Sequence, residues 1–128
     1  MSRTILLIED EASIRAGLER MLHLEGYEVR SAEDGRGGLL DAIIHKPDLI
    51  ITDLHMPFID GFTLLRELSQ NPELAPVPVI VLSAREDRET IRRALDAGAA
   101  DYITKPFRRD VLLASINAQL KPAEHPSA

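Results

Sequence analysis

Two hydrophobic patterns alternate along this chain, one typical of buried strands and one typical of helices with a single apolar face. Residues 5–8 are continuously apolar and are followed by charged residues, which favours a strand covered on both sides. Ile14, Leu18 and Leu22 then recur at helical spacing, and Gly26 is a suitable residue to end that helix. Both patterns return along the rest of the chain, so the sequence predicts five strands and five helices in alternation.

Four further strands and four further helices complete the predicted set. The strands are expected at 27–30, 48–53, 79–82 and 101–104. The helices are expected from apolar residues three or four positions apart, namely Leu39, Leu40, Ile43 and Ile44; Phe62, Leu65 and Leu68; Ile91, Ala94 and Leu95; and Leu112, Ile116 and Leu120. Asp60 is expected to cap the third helix. This alternation indicates an α/β fold in which helices cover both faces of a five-stranded parallel sheet, a doubly wound (βα)5 arrangement.

Length and charge narrow the class of protein. The chain has 128 residues, which suits a single domain, expected over residues 1–120. A flexible C-terminal tail or linker stub is expected over residues 121–128, where two prolines interrupt the helical pattern. Fifteen basic and twenty-one acidic residues give a net charge of −6, which argues against direct nucleic acid binding by this domain.

The cysteine content and the length of the apolar segments indicate where in the cell the protein is located. The sequence has no Cys, which excludes a disulfide framework, a thiolate metal site and a Cys nucleophile. No apolar run approaches the roughly 18 residues that a membrane-spanning helix needs. The N-terminal apolar run leads directly into Glu9 and Asp10 and has no cleavage motif. We therefore expect a cytoplasmic location and no membrane association.

Polar residues stand where the predicted strands end. Glu9 and Asp10 follow the first strand, Asp53 the third, Ser83 the fourth and Lys105 the fifth. The carboxyl ends of parallel strands lie at one edge of a sheet, so these side chains are expected to meet there. Three neighbouring carboxylates repel one another unless a proton or a cation joins them. With oxygen ligands only, the expected cation is Mg²⁺.

A carboxylate in that setting suits phosphoryl chemistry. Asp53 follows the most central apolar strand, and its carboxylate is expected to act as a nucleophile toward phosphorus and form an aspartyl phosphate. Lys105 supplies a positive charge for one phosphoryl oxygen, and the Ser83 hydroxyl can donate a hydrogen bond to another.

Taken together, these motifs resemble the receiver domain of two-component response regulators over about residues 4 to 120. The residues that carry the resemblance are Glu9-Asp10, the segment Asp53-Leu54-His55-Met56-Pro57-Phe58-Ile59-Asp60-Gly61, Ser83-Ala84, Gly98-Ala99 with Tyr102, and Lys105-Pro106-Phe107. The resemblance implies a flavodoxin-like sheet with strand order 2-1-3-4-5. It also implies a phosphorylation-activated signalling switch, in which the face formed by the fourth helix, fifth strand and fifth helix changes to alter partner binding.

The resemblance also implies a role for each matching residue. Asp53 corresponds to the phosphoacceptor, and Glu9, Asp10, Asp53 and the backbone carbonyl of His55 correspond to the metal ligands. Ser83 and Tyr102 correspond to the switch residues, and Lys105 corresponds to the family's lysine at the site. A cis peptide bond between Lys105 and Pro106 is implied as well.

Two positions are expected to affect how long the phosphorylated state lasts. His55 and Arg85 lie two residues after Asp53 and Ser83, and in the resembling family these positions flank the path of the water that hydrolyses the aspartyl phosphate. Both side chains are bulky, and the Arg85 guanidinium has several donors for a phosphoryl oxygen. We therefore expect slow hydrolysis of the phosphorylated form; the alternative is that both side chains point into solvent and leave the rate unchanged.

The implied partners are a phosphoryl donor and an output partner. The donor is expected to be a sensor histidine kinase or a histidine phosphotransfer protein, and the identity of the output partner stays open. Receivers that precede winged-helix DNA-binding domains form dimers through basic and acidic residues on the face of the fourth helix, fifth strand and fifth helix. The matching residues here are Ile91, Ala100, Val111 and Ser115. These side chains cannot form such ion pairs, so a monomer or a weak homodimer is expected.

Two other classes use the same architecture. An aspartyl-phosphate phosphohydrolase of the haloacid dehalogenase type also places a nucleophilic Asp at a strand end, but it needs an acidic residue two positions later, where this chain has His55. A flavin-binding electron-transfer module needs a phosphate loop after the first strand. Glu9, Asp10 and Glu11 occupy that position and would repel a phosphate unless a metal ion lay between them.

Overall fold

The computed structural model describes residues 2–120 and contains five strands and five helices in strict alternation. The elements are β1 (Thr4–Ile8), α1 (Ala12–Leu24), β2 (Glu28–Ala32), α2 (Gly35–His45), β3 (Leu49–Thr52), α3 (Gly61–Gln70), β4 (Val79–Ser83), α4 (Arg88–Asp96), β5 (Asp101–Thr104) and α5 (Arg109–Leu120). The tail expected at 121–128 lies outside the described residues. Within residues 2–120, no helix combines the length and the apolar character needed to cross a membrane.

All five strands are parallel and follow the order β2-β1-β3-β4-β5, so the predicted fold is confirmed. Apolar residues of the strands alternate between two buried clusters, one on each face of the sheet. In β1, Leu6 and Ile8 pack with α2, α3 and α4, whereas Ile5 and Leu7 pack with α1 and α5. The strands are therefore held from both sides, and their polar ends share one edge.

Acidic side chains cap the first four helices, which start at this edge. Asp60 accepts a hydrogen bond from the Thr63 amide at 2.9 Å, which confirms the predicted cap of α3. Glu11, Asp34 and Asp87 cap α1, α2 and α4 in the same way. Each cap fixes where a helix begins, and so fixes the length of the loop that joins it to the preceding strand.

Helix α2 packs against the sheet mostly through different residues from those predicted. The predicted core residues Leu40 and Ile44 are 58% and 62% exposed, and Ile43 is 45% exposed. Small residues are buried in their place, among them Gly38, where an added Cβ would lie 2.4 Å from the Cδ1 atom of Ile8. A glycine at that position lets the helix axis approach the sheet closely, and this contact turns the larger side chains outward.

Candidate functional site

Three carboxylates converge at the edge where β1 and β3 end. Ile8 and Thr52 are register partners in these adjacent strands, so the residues that follow them are neighbours. One carboxylate oxygen from each of Glu9, Asp10 and Asp53 lies within 4.8 Å of the others. Glu9 is buried and Asp10 is exposed, so the cluster opens to solvent on one side.

Lys105 joins two of these carboxylates. Its Nζ atom donates hydrogen bonds to Glu9 Oε1 at 3.1 Å and to Asp53 Oδ2 at 2.9 Å. Lys105 directly follows β5, and the Lys105–Pro106 peptide bond is cis. Burial lowers the pKa of Lys105, but hydrogen bonds and charge attraction from Asp53 and Glu9 outweigh it, so the net pKa is raised. The side chain is thus a fixed positive charge at the site.

Glu9 is the most tightly held of the acidic residues. It is 2% exposed, and its Oε2 atom accepts a hydrogen bond from the Glu11 amide at 3.1 Å. Burial raises the pKa of Glu9, while the Glu11 amide and Lys105 act in the opposite direction. The net pKa of Glu9 is raised even with the Lys105 ammonium 3.1 Å away, so the negative charge of this carboxylate costs free energy in the folded protein.

Asp53 presents its carboxylate at the centre of the site. Its Oδ1 atom accepts hydrogen bonds from the amides of Leu54 at 2.6 Å and His55 at 3.4 Å. Its Oδ2 atom faces Lys105, as described above. The backbone of Gly61 packs against this segment, because an added Cβ there would lie 2.7 Å from the Asp53 carbonyl oxygen. The position of the carboxylate is consequently set by backbone atoms.

Ser83 and Tyr102 form a second group, joined through the backbone of Arg85. Ser83 is fully buried, and its Oγ atom accepts a hydrogen bond from the Arg85 amide at 3.2 Å. The Tyr102 hydroxyl donates to the Arg85 carbonyl at 2.8 Å. Of the residues predicted to meet at the sheet edge, Glu9, Asp53 and Lys105 are in direct contact, whereas Ser83 contacts the loop that follows its own strand.

His55 and Arg85 line one cleft of about 300 Å³, together with Phe62 and residues of α4. Both side chains are exposed. The Arg85 Nη2 atom lies 2.9 Å from Asp87 Oδ1. Hydrogen bonds from Thr90 and the Arg85 guanidinium lower the pKa of Asp87 to about 2, so this partner stays ionised. The Arg85 guanidinium therefore contacts an ionised partner at the edge of the cleft.

The acidic cluster fits a hard divalent cation. All of its ligand atoms are oxygens, the donor type that Mg²⁺ prefers. Opposite ligands of an octahedral Mg²⁺ lie about 4 Å apart, given metal–oxygen distances of about 2.0–2.1 Å. Carboxylate oxygens within 4.8 Å of one another can therefore share one such ion after small adjustments.

Two contacts at the site were not predicted from the sequence. The Arg15 Nη1 atom donates to the backbone carbonyl of Glu9 at 2.7 Å. The Glu11 amide donates to the Glu9 carboxylate, as described above. Both depend on how the loop after β1 turns into α1, and residue spacing gives no direct sign of that turn.

Comparison with known proteins gives a consistent result. The family described as "Response regulator receiver domain" matches residues 5–117. The KDP operon transcriptional regulatory protein KdpE of Escherichia coli is 45% identical over 117 residues, covering 91% of this chain and 51% of that protein. The transcriptional regulatory protein PrrA of Mycobacterium tuberculosis is 39% identical over 120 residues, covering 94% and 51%. The chain spans about half the length of the curated relatives it matches.

Solved structures give the same picture. The chemotaxis response regulator CheY4 of Vibrio cholerae superposes with a TM-score of 0.88 at 29% identity, covering 94% of this chain and all of that one. The receiver domain of the Francisella response regulator 1452 superposes with a TM-score of 0.89 at 30% identity, covering 96% and 100%. These comparisons give no support to the haloacid dehalogenase alternative.

Proposed function

This chain belongs to the response regulator receiver domain family and is a signalling receiver of two-component systems, and on that premise we propose that Asp53 is its phosphoacceptor. One observation carries the proposal. The Asp53 carboxylate lies at the end of β3, in contact with the Lys105 ammonium and within 4.8 Å of the two other carboxylates. This arrangement combines a nucleophile with groups that can bind and neutralise an incoming phosphoryl group.

Phosphoryl transfer makes one bond and breaks one. An Asp53 carboxylate oxygen forms a bond to phosphorus while the bond from phosphorus to the imidazole nitrogen of a phosphohistidine donor breaks. The aspartyl phosphate stays on this chain, and the electron pair of the broken bond stays on the imidazole. Positioning and charge neutralisation account for most of the catalysis in such reactions.

Glu9, Asp10 and Asp53 are the side chains that would hold Mg²⁺, and the family implies the His55 backbone carbonyl as a further ligand. The bound ion would supply positive charge that lets an anionic phosphoryl group approach an anionic nucleophile. Lys105 contributes a second positive charge, and phosphorylation requires it to exchange part of its contact with Asp53 for a phosphoryl oxygen.

Ser83 and Tyr102 are proposed to transmit the phosphorylated state. When the Ser83 hydroxyl turns toward a phosphoryl oxygen, the hydrogen bond that its Oγ atom accepts from the Arg85 amide is lost. The Arg85 carbonyl is also the acceptor for Tyr102, so this change reaches β5 through one shared loop residue. The resulting movement of α4, β5 and α5 would alter the surface that a partner contacts.

The partners are proposed from the family and from charge. The phosphoryl donor is a sensor histidine kinase or a histidine phosphotransfer protein, and a cytoplasmic location stays a prediction. Matched relatives are named as transcriptional regulators, so we propose that the output of this receiver is transcriptional control. With a net charge of −6, the receiver acts on nucleic acid through another domain or partner and does not bind it directly.

The proposed function is tested by labelling with acetyl phosphate and measuring intact mass. The wild-type chain should gain one phosphoryl group in Mg²⁺ and none in excess chelator. Asp53→Asn should abolish labelling, whereas Asp96→Asn, at an exposed position in α4, should leave it unchanged. Undiminished labelling of Asp53→Asn would show that the phosphoacceptor is another residue.

A further inference from the structure

Arg15 reaches back from the first turn of α1 to the loop that carries the acidic pair. Its Nη1 atom donates a 2.7 Å hydrogen bond to the backbone carbonyl of Glu9. That carbonyl belongs to the peptide unit that joins Glu9 to Asp10. We propose that Arg15 is a positioning residue, which fixes the plane of this peptide and so directs the Asp10 carboxylate toward the metal site. The inference rests on the proposed function of the acidic cluster.

Asp10 depends more than Glu9 on a contact that fixes its backbone. The Glu9 amide donates to the Ala32 carbonyl at 3.1 Å, and both of its carboxylate oxygens accept hydrogen bonds. Asp10 is exposed, and among residues 2–120 no hydrogen bond to its carboxylate is found. The backbone of Asp10 therefore sets the position of its Cβ atom, and with it the space that the carboxylate can reach. The Arg15 contact acts on the carbonyl oxygen of Glu9, whose carbon is bonded to the Asp10 amide nitrogen.

The charge of Arg15 and its hydrogen bond have opposite effects on the affinity of the site for a cation. A guanidinium repels Mg²⁺, so its charge alone weakens metal binding. A hydrogen bond that orients a ligand strengthens binding, and removing such outer contacts typically costs about 10–100-fold in metal affinity. A neutral replacement of similar length therefore separates the two effects by the direction of the change.

The experiment measures Mg²⁺ binding to the whole chain by isothermal titration calorimetry. Arg15→Met removes both the charge and the donors, and we expect it to weaken Mg²⁺ binding about tenfold. Arg15→Lys keeps the charge and one donor nitrogen, so it should recover part of the loss. Arg20→Met removes an equal charge from the same helix without this contact and should bind Mg²⁺ as the wild type does. Circular dichroism checks that each variant is folded.

A second measurement does not involve metal. A hydrogen bond to a carbonyl polarises the amide of the next residue, so the ¹⁵N shift of the Asp10 amide should change in Arg15→Met without Mg²⁺. The same shift should stay in place in Arg20→Met.

The outcomes separate this inference from the function on which it rests. Asp10→Asn should weaken Mg²⁺ binding if the acidic cluster is the metal site. A wild-type chain that does not bind Mg²⁺, or an Asp10→Asn variant that binds it equally well, overturns the proposed site and this inference with it. If Asp10→Asn binds Mg²⁺ more weakly, as expected, but Arg15→Met binds it as tightly as the wild type or more tightly, only the positioning role of Arg15 is overturned.

Discussion

Replacing Gly61 with Ala tests how closely the phosphoacceptor segment packs against α3. Gly61 is the first residue of α3, and its amide donates to the Leu54 carbonyl at 2.8 Å. An added Cβ would lie 2.6 Å from the Leu54 Cα atom and 2.7 Å from the Asp53 carbonyl oxygen. These are backbone atoms that cannot rotate away, so the methyl group must displace either the helix or the Asp53–Leu54 segment.

The size of the effect follows from this overlap. Extra atoms in a well-packed site typically cost about 1–3 kcal/mol of unfolding free energy. At about 2 kcal/mol, a domain of this size should lose roughly 6–10 °C in Tm. The same displacement moves the Asp53 carboxylate relative to Lys105, and misplacement by about 1 Å can slow a reaction by up to about 100-fold. We expect labelling by acetyl phosphate to slow on the order of tenfold.

Gly17→Ala is the matched control. Gly17 lies in α1, and apart from its chain neighbours and the backbone of its own helix no atom lies within 4 Å of its added Cβ. Because alanine is favoured over glycine in a helix by about 0.5–1 kcal/mol, this variant should melt a few degrees above the wild type. Thermal melts followed by circular dichroism in chelator compare the two variants. A Gly61→Ala variant that melts no lower than the wild type and is labelled at the wild-type rate would refute the close packing.

Two further predictions concern charge and lifetime. Burial raises the pKa of Glu9 in the folded protein, so the contribution of Glu9 to stability falls as pH rises from about 4 through its folded pKa. In chelator, the Tm of Glu9→Gln relative to the wild type should therefore increase between about pH 4 and pH 7, and a constant difference would contradict the raised pKa. A double variant with His55→Ala and Arg85→Ala should lose its phosphoryl group faster than the wild type, because both side chains line the cleft beside the site. Equal decay of the intact mass would show that neither residue shields the bond.

The strands were predictable from the sequence because their apolar runs are continuous. The predicted strand at 79–82 is β4 (Val79–Ser83) within one residue, since a strand buried on both faces leaves no polar alternation to misread. The orientation of α2 was not predictable in the same way. Its close contact is made by Gly38, whose lack of a side chain gives it no weight in a hydrophobic pattern. Periodicity identifies large apolar residues, whereas this interface depends on small ones.

The candidate site also contains contacts that the sequence predicts and contacts that it does not. Residues at strand ends could be placed together from topology alone, and the contacts of Glu9, Asp53 and Lys105 agree with that placement. The contact from Arg15 could not be predicted. Its acceptor is a main-chain carbonyl, and because every residue has one, the sequence does not show which carbonyl is used. The direction of Ser83 depends on a single χ1 rotamer, which residue spacing does not specify.

The two contacts of Lys105 link distant parts of the chain. Its partner Glu9 lies 96 positions earlier, and its partner Asp53 lies 52 positions earlier. On a ribosome, residues 1–104 would emerge with all three carboxylates but without the ammonium that joins two of them. A chain that ends at residue 104 therefore cannot form the contacts of Lys105 with Glu9 and Asp53, so these two ion pairs form only once synthesis has passed the last strand.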